Sequence, residues 1–187
     1  MLKHYSDEDI FKLVRKVKKG DISAYGEIVR TYDKFVLGTV RSEIKNEEEA
    51  VALSEEIFLR AYKEISGFTP DKSFGFWLHG IMTGRIKDYK KKRAKEEPDG
   101  VYDAENTAEK KKSAITVESP SGVIKLINML DDEIREAVTY RDLMGLTYCE
   151  IADLTGVTVG SAKARVTQGR EKVMTALEKY IQTRAKG

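Results

Sequence analysis

Cysteine, proline and histidine are nearly absent from this 187-residue sequence, and each scarcity removes a class of protein. The single cysteine, Cys149, excludes an internal disulfide framework and a cysteine-rich zinc site, and suits a reducing compartment. The two histidines, His4 and His79, are far apart and lack metal-ligand spacing, so no metal or other cofactor is expected. Glycine never gathers into a phosphate-cradling loop. The acidic runs Glu47–Glu49 and Asp131–Asp132 fall at helix starts, where attraction to the helix dipole accounts for them. With no catalytic constellation in sight, no enzyme is expected. The opening MLKHYSDEDI has no apolar signal core, and no apolar run approaches the roughly 18 residues of a membrane helix. The chain is expected to be soluble, unexported and cytoplasmic.

Charge and helical periodicity are what the sequence has in quantity. Hydrophobic residues make up 41% of it, enough for real cores, and charged residues 34%, enough to solvate the outer faces of many helices. Only three prolines and no alternating strand pattern predict an all-α protein. The net charge of +2 says little about partners, but its distribution says more. Residues 94–122 carry four cations against seven acids and show no sustained apolar face, which reads as a flexible linker. Periodicity on either side predicts two small helical domains, 1–93 and 123–187.

The clearest motif spans residues 146–172. Thr147 and Glu150 form a T-x-x-E capping box, which satisfies free N–H groups at a helix start. Ile151, Ala152 and Leu154 give that short helix an apolar side, Gly156 can take the positive φ of a turn, and Val157 packs into the angle. Thr158 caps a second helix bearing Lys163, Arg165, Arg170 and Lys172, and continuing through Val173, Leu177 and Ile181. A helix-turn-helix with a cationic second helix suits a DNA major groove. Ser161, Lys163, Ala164, Thr167 and Gln168 would then turn partly toward base edges, while Arg165, Arg170 and Lys172 would touch phosphate. Upstream, Val123, Ile124, Ile127 and Leu130 share one helix face, and Asp131 caps a helix with Ile134, Ala137, Val138, Tyr140 and Leu143 inward.

Four helices are expected in the N-terminal half. The first opens at Ser6 and ends before Gly20, and the next two run over about 22–44 and 47–65, the latter capped by Asn46. A loop over 66–73, marked by Gly67 and Pro70, leads to a fourth over about 74–93. That helix begins apolar, with Phe74, Phe76, Trp77, Leu78 and Ile81, and ends in Arg85, Lys87, Lys90, Lys91, Lys92 and Arg93. Cations beside aromatics can hold a nucleic-acid strand while its bases stack, although Trp77 and its neighbours must also build a core.

Taken together, these stretches resemble a bacterial RNA polymerase sigma factor of the extracytoplasmic-function group, over nearly the whole chain. The family pattern A-E-D-L-x-Q-E-x-F-L-R-A-Y corresponds to residues 50–62, with Ala52 in place of the aspartate and Glu55 in place of the glutamine. The pattern W-L-x-x-I-A-x-N corresponds to residues 77–84, with Gly84 where the family has asparagine. The usual G-T-V-K-S-R is Gly160-Ser161-Ala162-Lys163-Ala164-Arg165, and Met129-Leu130 stands where a leucine-proline usually precedes the acidic pair. The resemblance implies that 123–187 binds the minus-thirty-five promoter element through Thr158, Ser161, Lys163, Ala164, Arg165, Thr167, Gln168, Arg170 and Lys172. It implies minus-ten contacts at Phe68, Lys72, Trp77, Gly84, Arg85, Lys87, Lys91 and Arg93. Polymerase contacts are implied at Ala52, Leu53, Glu55, Glu56, Phe58 and Leu59. The implied partners are core RNA polymerase (its β′ clamp helices and β flap), promoter DNA and an anti-sigma factor. Two other readings stay open: a sigma mimic that sequesters an anti-sigma factor, supported by Ala52, Glu55 and Gly84, and a conventional helix-turn-helix regulator.

Overall fold

The computed structural model describes residues 5–96 and 126–184, and every regular element in them is helical. The chain divides into two compact units.

In the first unit, α1 (Asp7–Lys18) starts where Ser6 Oγ accepts the Asp9 N–H at 3.2 Å and the Asp9 carboxylate accepts the Ser6 N–H at 3.3 Å. Acids fill its first turn and bases its last, matching the dipole. Gly20 then takes φ +96°, a conformation side chains disfavour. α2 (Ile22–Glu43) is capped by Asp21 and α3 (Glu47–Glu64) by Asn46, each side chain accepting a first-turn N–H. A short 3₁₀ turn (Ile65–Gly67) and a loop lead to α4 (Phe74–Glu96), where the buried Ser73 hydroxyl accepts the Phe76 N–H at 3.2 Å. The core is built from residues at three/four spacing: Ile10, Val14 and Val17; Ile28, Tyr32, Val36 and Val40; Leu53, Ile57 and Ala61; Phe74, Leu78, Met82 and Ile86. α4 runs past Arg93, so residues 94–96 are helix and not linker; Ala, Lys and Glu are all strong helix formers.

In the second unit, Leu126, Ile127 and Leu130 are buried ahead of α5 (Asp132–Val138), which widens into a π turn over Thr139–Leu143. Val123, Ile124 and residues 97–122 of the expected linker lie outside the described residues. Asp131 occupies the N-cap position but its side chain caps nothing. Its carboxylate instead accepts from Lys172 Nζ at 2.6 Å, a charge-assisted bond stronger than one to a peptide N–H. α6 (Tyr148–Thr155) carries the Thr147–Glu150 capping box and ends at Gly156 with φ 69°. Thr158 Oγ1 then accepts the Ser161 N–H at 3.1 Å to start α7 (Val159–Arg184), 26 residues long. Ile127, Leu130, Ile134 and Val138 pack together against Val173, and Ala162 and Val166 are fully enclosed. Cys149 is exposed and free.

Candidate nucleic-acid and polymerase interfaces

Burial fixes which side of α7 faces out. Ala162, Val166 and Gly169 are buried and Val173 is half-buried, on one face of a 3.6-residue helix. The opposite face therefore presents Gly160, Ala164, Thr167, Gln168 and Glu171, all exposed. Cations flank this strip on both sides, Lys163 and Arg170 along one and Arg165 and Lys172 along the other, with Ser161 at the head of the second flank. A helix with small and polar groups outermost and cations on both shoulders matches a groove with phosphates on both walls. Lys163 and Arg170 stand seven residues apart and share a flank, so they differ in depth along the helix rather than in facing.

The four cations differ in what holds them. Arg165 pairs with Glu133 at 2.5 Å and Lys172 with Asp131 at 2.6 Å. Arg170 grips Asp142 through two nitrogens, its Nε at 3.0 Å. The Asp142 hydrogen bond holds the Arg170 guanidinium above its usual pKa. Lys163 makes no ion pair among the described residues. Thr158 is exposed, and its hydroxyl lies 2.9 Å from that of Ser161.

The outer face of α4 presents Phe76 and Trp77 near its start, Gly80, Thr83 and Gly84 in the middle, and Lys87 and Lys91 beyond. A Cβ placed on Gly80 or Gly84 meets nothing within 4 Å. Lys87 and Lys91 make no ion pair among the described residues. Three other cations of α4 are tied to acids: Arg85 to Glu56 of α3 and, at 3.5 Å, to Asp88 of α4 itself; Lys90 to Glu43 of α2; Arg93 to Glu49 of α3 at 3.6 Å. Arg85 also lines a cleft of about 370 Å³ between α3 and α4, shared with Ala52, Glu56 and Tyr89, and its Nε is buried without a partner.

Phe68, expected to meet a minus-ten base, is only 4% exposed. It sits among Phe11, Phe74 and Trp77 with ring centroids 5.4–5.9 Å away, and its carbonyl accepts from Lys18 Nζ at 2.8 Å. An aromatic ring of that size adds more by filling the core than by waiting in solvent, so Phe68 supports the loop and offers no face to a base. Trp77 keeps a half-exposed edge. Lys72 is exposed and lies 4.1 Å from the Phe76 ring centroid. In the same loop the Thr69 hydroxyl donates to Asp71 and holds its carboxyl below the usual range.

Two expected polymerase contacts are also interior: Leu53 is 3% exposed and Phe58 8%. Both lie on the apolar stripe by which α3 packs into its unit, which their spacing from Ala50, Ile57 and Ala61 requires. Ala52, Glu55, Glu56 and Leu59 do face solvent, Leu59 with 53% exposure. Sequence reasoning missed Val51 and Tyr62, which are exposed on the same outer strip. The signal was present: Val51, Glu55, Leu59 and Tyr62 recur at four, four and three residues, outside the stripe of Ala50, Leu53, Ile57 and Ala61.

Among the described residues no group of three metal-ligating side chains exists and no helix is long and apolar enough to cross a membrane. A family model described as Sigma-70 region 2 matches residues 28–96, and one described as Sigma-70, region 4 matches residues 122–173. The chain is 28% identical over 182 residues to the RNA polymerase sigma-H factor of Pseudomonas aeruginosa, covering 91% of this chain and 94% of that one. It is 27% identical over 183 residues to the ECF RNA polymerase sigma factor SigW of Bacillus subtilis, covering 90% and 96%. A solved structure of CnrH in complex with the cytosolic domain of CnrY aligns over 89% of this chain and 95% of that one, with 21% identity and a TM-score of 0.47. Two sigma-70 regions in the family's order, with relatives matched almost end to end, place the chain in the sigma-70 family of RNA polymerase sigma factors, in its extracytoplasmic-function group.

Proposed function

We propose that this chain is an alternative sigma factor that binds core RNA polymerase and directs promoter-specific initiation. The observation that carries this reading is the outer strip of α7, polar and small along its crest with a cation on either shoulder. A helix about 10–12 Å across fits the roughly 12 Å major groove, so residues 123–187 would read the minus-thirty-five duplex there. Thr167, Gln168 and Ala164 would face base edges, and Lys163, Arg165, Arg170 and Lys172 the phosphates, with Thr158 and Ser161 at the leading end. Residues 1–93 would hold unpaired minus-ten bases along Lys72, Trp77, Gly84, Lys87 and Lys91. The outer strip of α3, from Val51 and Ala52 through Glu55 and Leu59 to Tyr62, would meet the β′ clamp helices, and 123–187 the β flap.

Residues 97–122 would tether the two readers, so that each raises the effective concentration of the other at its element. No catalysis and no cofactor enter this reading, and the work is cytoplasmic. An anti-sigma factor covering the polymerase-facing surfaces would be the natural brake.

Run-off transcription with purified core polymerase and a promoter library tests the proposal. Defined transcripts from a subset of promoters are expected. Failure at every promoter, with tight binding to an anti-sigma factor, would identify a mimic. Duplex binding without binding to core polymerase would identify a conventional regulator.

A further inference from the structure

We propose that Asp131, Glu133 and Asp142 set the DNA affinity of α7 by holding three of its four flanking cations, leaving Lys163 as the one cation ready for a phosphate. This deepens the reading of α7 as the minus-thirty-five reader and rests on it. The three acids come from one short stretch, residues 131–142, which lies along the part of α7 where Gly169 and Val173 are packed. They reach both flanks of the outer strip. Asp131 and Glu133 hold Lys172 and Arg165 on one shoulder, and Asp142 holds Arg170 on the other.

The pairs made by Asp131 and Glu133 add little to stability. The side chains of Asp131 and Glu133 are each 73% exposed, and exposed pairs are close to neutral for folding. Their effect falls on binding instead. A phosphate approaching Arg165, Arg170 or Lys172 must displace a carboxylate or share the cation with it. The net charge offered to the backbone is therefore smaller than four cations imply, and fewer counterions are released on binding. Asp132 is a built-in comparison. Its side chain is 89% exposed, more than either neighbour, and it pairs with Arg135 on its own helix, at 2.6 Å. The acids lower affinity for every duplex alike, because they touch phosphate-facing cations and not the crest residues Thr167 and Gln168. α7 by itself is then a weak reader whose occupancy depends on the rest of the assembly.

Fluorescence anisotropy of the full chain on a labelled mixed-sequence duplex and on a promoter duplex, over a salt series, tests this. Asp131→Asn, Glu133→Gln and Asp142→Asn should each tighten both complexes about threefold near 0.1 M salt, and the triple variant about ten- to thirtyfold, with a steeper salt slope. Asp132→Asn should change affinity less than Glu133→Gln. Glu133→Asp, which keeps the charge, should stay near the parent value. Asp131 makes no side-chain cap for asparagine to lose, and Glu133→Gln keeps the side-chain shape at an exposed position, so at least these two variants keep the fold, as a circular-dichroism melt will report. If both bind no more tightly than the parent, while Lys163→Ala weakens it, the inference fails and the DNA-reading assignment stands. If neither parent nor variants bind any duplex, both fail together.

Discussion

Gly169 on α7 lies so close to Val138 on α5 that a Cβ added to it would stand 2.3 Å from Val138 Cγ2 and 2.8 Å from Ile134 Cγ2. The two helices cross where the smallest side chain permits it, and this crossing sets the angle at which the outer strip of α7 is presented. Gly169→Ala pits two effects against each other. Alanine gains about 1 kcal/mol of helix propensity, but overpacking against two β-branched side chains costs about 1–3 kcal/mol and forces a shift. The second effect should win, lowering the melting temperature of this unit. Val138→Ala in the same chain should recover part of the loss, and a double-mutant cycle by thermal denaturation measures that coupling.

Leu53 and Leu59 on α3 are six residues apart and face opposite ways, 3% against 53% exposed. Leu53→Ala should cost about 2–5 kcal/mol of stability through the cavity it leaves. Leu59→Ala should change stability by less than about 0.5 kcal/mol. If the outer strip of α3 docks on polymerase, Leu59→Ala weakens core binding by roughly five- to thirtyfold, the worth of partly burying a leucine. Pull-down or anisotropy titration with core polymerase, beside a melting curve, separates the two. Unchanged core affinity for Leu59→Ala would remove this strip from the interface.

The elements were legible in the sequence because caps and periodicity agree. Ser6, Asn46, Thr147 and Gly156 all act where their side chains or freedom predict. Individual site residues were less legible, because a family pattern records which positions matter without saying whether they act by packing or by contact. Phe58 and Leu53 lie in the pattern as core, and Phe68 as support for its loop. The ion pairs were illegible for another reason. Asp131 looks like a cap from its neighbours, and only the crossing of α5 and α7 brings Lys172 to it from 41 residues away. Val51 and Tyr62 required reading the far side of an amphipathic helix as a surface in its own right.

Arg85 and its neighbours Lys87 and Lys91 should separate in the same way. Arg85 ties α4 to Glu56 of α3 and lines the cleft between them, so Arg85→Ala should cost about 1–2 kcal/mol of stability. Lys87→Ala with Lys91→Ala should leave the fold unchanged and weaken binding to a single-stranded oligonucleotide. Each lysine lost should flatten the logarithmic salt slope by about 0.7, the value for a single-strand phosphate contact. A slope that stays at the parent value would show that these lysines do not meet the strand.

Gly84 lies in mid-helix on the exposed face of α4, where an added Cβ meets nothing within 4 Å. Nothing in the fold requires glycine there, and it weakens the helix by up to about 1 kcal/mol relative to alanine. Gly84→Ala should therefore raise the melting temperature without touching the core. Gly84→Asn goes further. Asparagine is the residue the family pattern has at this position, and its amide supplies donors and an acceptor that glycine lacks. With the strip from Trp77 to Lys91 holding an unpaired strand, one added side-chain hydrogen bond worth about 0.5–1.5 kcal/mol should sharpen preference for one base by roughly two- to tenfold. The measurement is run-off transcription on templates differing at single minus-ten positions, comparing Gly84→Asn with Gly84→Ala. Sharper preference at one position in the asparagine variant alone is the expected result. An equal change at every position, or the same change with alanine, would mean that residue 84 acts through helix stability and does not touch a base.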